Sequence, residues 1–165
     1  MTIDPAQKVR QELRRLGISC EWVEIDPEYA DTAAFCEKYG YPIDYCGNTI
    51  IIASKKEPKR YSACIVKGSM RLDVNNKVSQ LMGVKKLSFA SADETMALTQ
   101  MLIGGVTPFG LPDDLPIYVD DQLKGVEYVI LGSGSRSSKV KMSPSELGKI
   151  PNVQFIQDLS MPPRV

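Results

Sequence analysis

Asn48–Gly68, "NTIIIASKKEPKRYSACIVKG", sets the architecture of this chain. Its first seven residues are a β-branched apolar run of the kind that fills a strand buried on both faces. Lys55–Arg60 is polar and contains a proline, which marks a turn. Tyr61–Gly68 is apolar again, so the stretch predicts an antiparallel hairpin.

On its N-terminal side lies a helix, with Asp4 as cap, Pro5 at the first position, Gln7 closing a capping box, and Val9, Leu13 and Leu16 as the apolar stripe up to Gly17. Ile18–Ile25 alternates as a strand. A second helix begins at Asp31 or Thr32 and ends at Gly40. After the hairpin, Asp73 caps a helix carrying Val74, Val78, Leu81 and Met82 and ended by Gly83. Val84–Ala90 is a short strand, and Ser91 with Glu94 forms a capping box that opens a helix to about Met101. Leu115–Leu123, Glu127–Ser135, Ser138–Met142 and Asn152–Asp158 read as strands. Ser143, Pro144 and Glu146 open a short helix, and the tail "MPPRV" is expected to be loose. Helices interrupt strands early and hairpins dominate later. That order predicts an α/β fold, a single domain over residues 1–165 with a mixed, largely antiparallel sheet flanked by helices.

The chain has 165 residues, 20 Lys+Arg and 20 Asp+Glu, and no histidine. Zero formal charge gives no global basic field, so DNA is not an expected partner and any polyanion must be held by a local patch. The absence of imidazole removes Ser-His-Asp and Cys-His catalysis and the commonest zinc ligand. Cys20, Cys36, Cys46 and Cys64 show no C-x-x-C spacing and read as buried thiols of a reducing compartment. No metal and no cofactor is expected. With no leader and no apolar run near ~18 residues, no membrane partner is expected and the cytoplasm is the expected location.

"LIGGVTPFG", Leu102–Gly110, is the candidate site. Paired glycines leave main-chain N–H groups bare and let a ligand approach closely. Such donors hold a carbonyl oxygen, a carboxylate or a phosphate. The same residues also serve as a helix stop followed by a turn, and composition alone leaves both readings open. No Walker-type phosphate loop occurs.

Four segments in order resemble the YbaK/EbsC family, stand-alone relatives of the editing domain of bacterial prolyl-tRNA synthetase. They are "RLDVNNKVSQLMGVKKLSFASADE", "LIGGVTPFG", "LPIYVDDQL" and "EYVILGSGSRSSKVKMSPSEL". The resemblance covers about residues 28 to 150 and implies a compact α/β domain around a curved mixed sheet. It also implies hydrolysis, in trans, of the ester of a mischarged tRNA, commonly alanyl- or cysteinyl-tRNA for proline. Aminoacyl-tRNA is then the partner, with prolyl-tRNA synthetase as a further candidate. An aminoacyl ester is already activated, so water attacks once the carbonyl is polarised, and histidine is dispensable.

Carried onto this sequence, the resemblance assigns Gly104 and Gly105 to the carbonyl oxygen, and Val106, Thr107 and Pro108 to the pocket wall. Asp120 falls at the family's aspartate, where it positions the substrate amine or a water, or is simply a strand-end carboxylate. Gly134 and Ser135 of the "GSGS" turn are candidate substrate contacts. Gly105→Ala is expected to abolish turnover without unfolding, by placing a Cβ where the carbonyl sits.

One position departs from the family. Its "V-[FY]-K-T-L" lysine falls on Asn48, with Thr49 at the threonine. Asparagine hydrogen-bonds but brings no cation. The alternative to a deacylase is therefore a module that binds an aminoacyl end, or a protein, without hydrolysis. Lys55, Lys56, Lys59 and Arg60, and Arg136 with its neighbours Lys139 and Lys141, form local basic groups. Each is a solvated surface or a contact to tRNA phosphates.

Overall fold

The computed structural model describes residues 4–164. In chain order it contains α1 (Pro5–Arg15), β1 (Cys20–Glu24), α2 (Thr32–Tyr39), β2 (Gly47–Ser54), β3 (Tyr61–Lys67), β4 (Arg71–Leu72), α3 (Ser79–Met82), β5 (Leu87–Phe89) and α4 (Ala92–Thr99). The remainder holds β6 (Ile117–Asp120), β7 (Val129–Gly132), β8 (Ser138–Met142), β9 (Val153–Ile156) and β10 (Ser160–Met161).

The hairpin forms as its sequence dictates: β2 and β3 pair antiparallel from Gly47 opposite Lys67 to Ala53 opposite Tyr61. They are the centre of a five-stranded mixed sheet in the order β5-β2-β3-β6-β9. β5 adds antiparallel to β2, whereas β6 and β9 add parallel on the other side. The remaining long strands do not extend this sheet. They form a second, antiparallel sheet in the order β1-β8-β7, joined to the first by a bridge between Cys46 and Ile130.

One face of the large sheet, with Ile51, Ala63 and Ile65, packs on Val9 and Leu13 of α1 and on Leu131, Val140 and Met142 of the small sheet. The other face, with Ile52, Cys64 and Val66, is sealed by Val78 and Met82 and by Leu159 of the tail. Burial on both sides explains why β3 is apolar almost throughout rather than alternating.

Local signals act largely as read. Asp4 caps α1 by accepting from the Ala6 N–H, but Gln7 forms no reciprocal bond. The Ser91–Glu94 capping box is complete. Asp73 accepts from the Asn76 N–H, yet the helix it opens runs as one wide turn over Val74–Val78 before α3. Ser143 makes no side-chain cap to the short helical turn at Pro144–Lys149. The C-terminal segment is tied down further than expected: Ser160 and Met161 pair with β4, and Arg71 Nε donates to the Pro162 carbonyl. Val165 of that tail lies outside the described residues. Cys20 is exposed and Cys36 half-buried, so only Cys46 and Cys64 are buried thiols as expected. Among the described residues, no helix is long and apolar enough to cross a membrane.

Candidate functional site

α4 ends at Thr99, and Gln100 turns the chain in the left-handed region. The glycine loop follows and lies against the β7–β8 hairpin. Four successive carbonyls of the loop are held by protein donors. Leu102 O accepts from Gly105 N–H at 2.9 Å and Gly105 O from Gly134 N–H at 2.6 Å. Ile103 O accepts from Arg136 Nη1 at 2.9 Å, and Gly104 O from Lys139 Nζ at 3.2 Å. The N–H groups of Gly104 and Val106 have no protein acceptor among the described residues. A loop whose carbonyls are tied back while N–H donors stay free is the backbone arrangement that an oxyanion needs.

Gly104 and Val106 line a cavity of about 340 Å³ between the loop, β2 and the start of α2. That size is ordinary for a small-molecule site. Asn48 and Thr49 line it from β2, Asp31 and Thr32 from the head of α2, and Lys139 from β8. Asn48 Oδ1 accepts from the Thr32 hydroxyl at 2.5 Å. The Thr49 hydroxyl is buried without a hydrogen-bond partner among the described residues. Asp31 is the sole carboxylate of the described lining and Lys139 its sole cation. Phe89 and Ile103 stand at the mouth, and Phe89 is 63% exposed.

The structure thus brings Gly104, Val106, Asn48 and Thr49 together, but not the rest of the predicted set. Gly105 spends its N–H on Leu102 O and does not line the cavity. A Cβ there would lie within 2.8 Å of the Ser135 O, C and N atoms. The glycine is needed for close backbone packing, so the Gly105→Ala expectation changes from a blocked site to a displaced hairpin. Gly134 and Ser135 serve that packing and lie outside the lining. Thr107 is fully buried, and Pro108 borders a separate small depression beside Leu16 and Pro112.

Asp120 is also elsewhere. It is fully buried at the end of β6, where it caps the following turn through Gln122 N–H and accepts from the Ser160 hydroxyl. Arg136 lies at the rim as a clamp: besides Ile103 O, it donates to Pro27 O at 3.1 Å and faces Asp31 at 3.5 Å. Lys55, Lys56, Lys59 and Arg60 form an exposed turn at the far end of β2, with Lys59 tied to Ser54 O.

Sequence reasoning missed Asp31 and Thr32, and read Lys139 only as part of a surface basic group with Arg136 and Lys141. Asp31 and Thr32 look like ordinary cap residues. Lys139 alternates with Val140 as a surface lysine does, yet it is only 6% exposed. Its ammonium is held at 2.5 Å from Ala30 O, and burial pushes its pKa below the ordinary lysine value. Among the described residues, no three His, Cys, Asp or Glu side chains are grouped to hold a metal ion.

Residues 26–150 match the family described as the aminoacyl-tRNA editing domain. The chain belongs to that family. The editing domain is 28% identical over 155 residues to the prolyl-tRNA editing protein ProX of Acetoanaerobium sticklandii, covering 91% of this chain and 92% of that one. It is 36% identical over 85 residues to the uncharacterized protein YwhH of Bacillus subtilis, covering 52% of this chain and about half, 53%, of YwhH. The crystal structure of a putative trans-editing enzyme for prolyl tRNA synthetase superposes with a TM-score of 0.80 at 25% identity, covering 95% of this chain and 98% of that one. The resemblance to the YbaK/EbsC relatives, and the α/β fold it implied, therefore hold.

Proposed function

We propose that this editing domain hydrolyses the ester of a mischarged aminoacyl-tRNA in trans, with a small amino acid such as alanine or cysteine on a tRNA for proline as substrate. The observation that carries this reading is the free Gly104 N–H, beside the cavity shared by Asn48 and Thr49. In the proposed complex the ester carbonyl oxygen accepts from Gly104 N–H, with Val106 N–H as the second donor in place of Gly105. Charge developing on that oxygen is stabilised by donors fixed before reaction, and one such donor is worth about 2.7–4 kcal/mol of barrier. Water attacks the activated carbonyl. Asp31, rather than the distant Asp120, faces the substrate amine. The exposed Phe89 ring offers a stacking surface for the terminal base of the tRNA. The Lys55–Arg60 turn is the proposed contact to tRNA phosphates, with prolyl-tRNA synthetase as a further partner and the cytoplasm as the site of action.

A panel of mischarged tRNAs tests the reading, with release of each amino acid measured against uncatalysed hydrolysis. Accelerated release from alanyl- or cysteinyl-tRNA for proline is expected. Tight binding without release would favour the non-hydrolytic alternative that Asn48 raises. Neither binding nor release would end the proposal.

A further inference from the structure

We infer that Lys139 supplies, from β8, the cationic donor that the family resemblance places at position 48, and that its free N–H holds the ester carbonyl oxygen beside Gly104. This inference rests on the deacylase reading and adds a catalytic residue to it.

The argument begins with register. In β8, Lys139 stands opposite Gly132 of β7 and Val23 of β1. A cross-strand neighbour with no side chain leaves that face open above Gly132, and the glycine loop fills the opening. A Cβ on Gly132 would lie 2.6 Å from the carbonyl oxygens of Gly105 and Val106. The loop and the Ala30 region therefore close over Lys139. They give its ammonium two acceptors, Ala30 O at 2.5 Å and Gly104 O at 3.2 Å, with the Phe35 ring 5.7 Å away.

An ammonium has three N–H donors. The third has no protein acceptor among the described residues, on a side chain that lines the cavity. Two neutral carbonyls, one ring and the Asp31 carboxylate, which Arg136 also claims at 3.5 Å, are meagre compensation for a buried charge, which costs several kcal/mol to desolvate. An anchor for the loop alone needs no charge, since a glutamine amide also donates twice. A cation kept here fits a third acceptor that arrives with substrate and gains negative charge during reaction. Asn48 occupies the same cavity with its carbonyl oxygen turned to Thr32, so the two positions address one space from different strands.

In the proposed step, the water oxygen bonds to the ester carbonyl carbon and the bond to the ribose oxygen breaks. One water proton goes to that ribose oxygen and the other to solvent as the carboxylate forms. Lys139 keeps its protons and stabilises the carbonyl oxygen throughout.

The test compares the parent with Lys139→Gln and with Lys139→Gln combined with Asn48→Lys. Single-turnover deacylation is measured alongside binding of an amide-linked, non-hydrolysable alanyl-adenosine. The Gln variant is expected to fold, judged by circular dichroism and melting, to lose at least about 100-fold in rate, and to regain at least tenfold when Asn48→Lys is added. A folded Gln variant within threefold of the parent overturns the inference and leaves the deacylase reading standing.

If the Gln variant melts early, the parent's own pH profile decides, after subtraction of spontaneous hydrolysis. The groups facing the ammonium are Asp31 and Arg136 at the mouth and the Cys36 and Cys46 thiols behind it. Rate should fall on the alkaline side with an apparent pKa below the ordinary lysine range, and a profile without that fall overturns the inference. If the parent hydrolyses nothing, the deacylase reading fails and the alanyl-adenosine decides for Lys139. Binding at least tenfold weaker to the Gln variant keeps the ammonium as a ligand contact. Equal binding, or none by the parent, removes it.

Discussion

Replacing Gly105 by alanine separates two ways in which the double glycine could matter. The added Cβ comes within 2.8 Å of the O, C and N atoms of Ser135. All three are backbone atoms, so no rotamer change relieves the clash and the loop must move away from the hairpin. Three main-chain bonds hold the two together or shape the loop: Leu102 N–H to Gly134 O at 3.0 Å, Gly134 N–H to Gly105 O, and Gly105 N–H to Leu102 O. Overpacking costs about 1–3 kcal/mol, and each weakened bond adds about 0.5–1.5 kcal/mol. A total near 3 kcal/mol lowers the melting temperature by about 6–12 °C for a chain of this size.

Calorimetry on Gly105→Ala and Gly125→Ala measures this directly. Gly125 has open space around its Cβ position and serves as the control, with a shift of no more than about 2 °C expected. If Gly105→Ala melts with the parent and loses only turnover, the packing argument is wrong and Gly105 belongs to the chemistry.

Three further outcomes follow from other parts of the molecule. Asp120→Ala should destabilise by about 1–3 kcal/mol in urea unfolding, because it orphans the buried Ser160 hydroxyl, while the deacylation rate of the folded protein stays within about twofold of the parent. Glu94 is held below the ordinary carboxylate range first by its bond from the Ser91 N–H and then by the Tyr61 hydroxyl. Its folded pKa is depressed, so its contribution is complete above the unfolded carboxylate pKa and fades as pH falls through the folded value. The melting difference between the parent and Glu94→Gln should accordingly shrink from neutral pH toward strong acid, and a constant difference refutes the assignment. Glu substituted together at Lys55 and Lys56 should weaken tRNA binding and reduce the salt slope by about 0.7–0.9 for each phosphate no longer neutralised. An unchanged slope removes that turn from the interface.

The sequence by itself determined the hairpin, the caps at Asp4, Asp73 and Ser91, and the family. Those signals are local: β-branched runs, a Ser91–Glu94 box three residues apart, and a double glycine followed by Thr107 and Pro108. It also placed Gly104, Asn48 and Thr49 in one candidate site, which the cavity unites. It did not foresee that β1, β7 and β8 would form a sheet of their own, because alternation states that a strand has two faces and not what will cover them. Asp120 shows the same limit: its neighbours in sequence fit a site, but Ser160, forty positions away, claims its carboxylate. Lys139 shows it most sharply. Along the chain it is one of two lysines on the polar side of a short strand. Only when the glycine loop settles over Gly132 does that side become an interior, and a surface charge become a buried one.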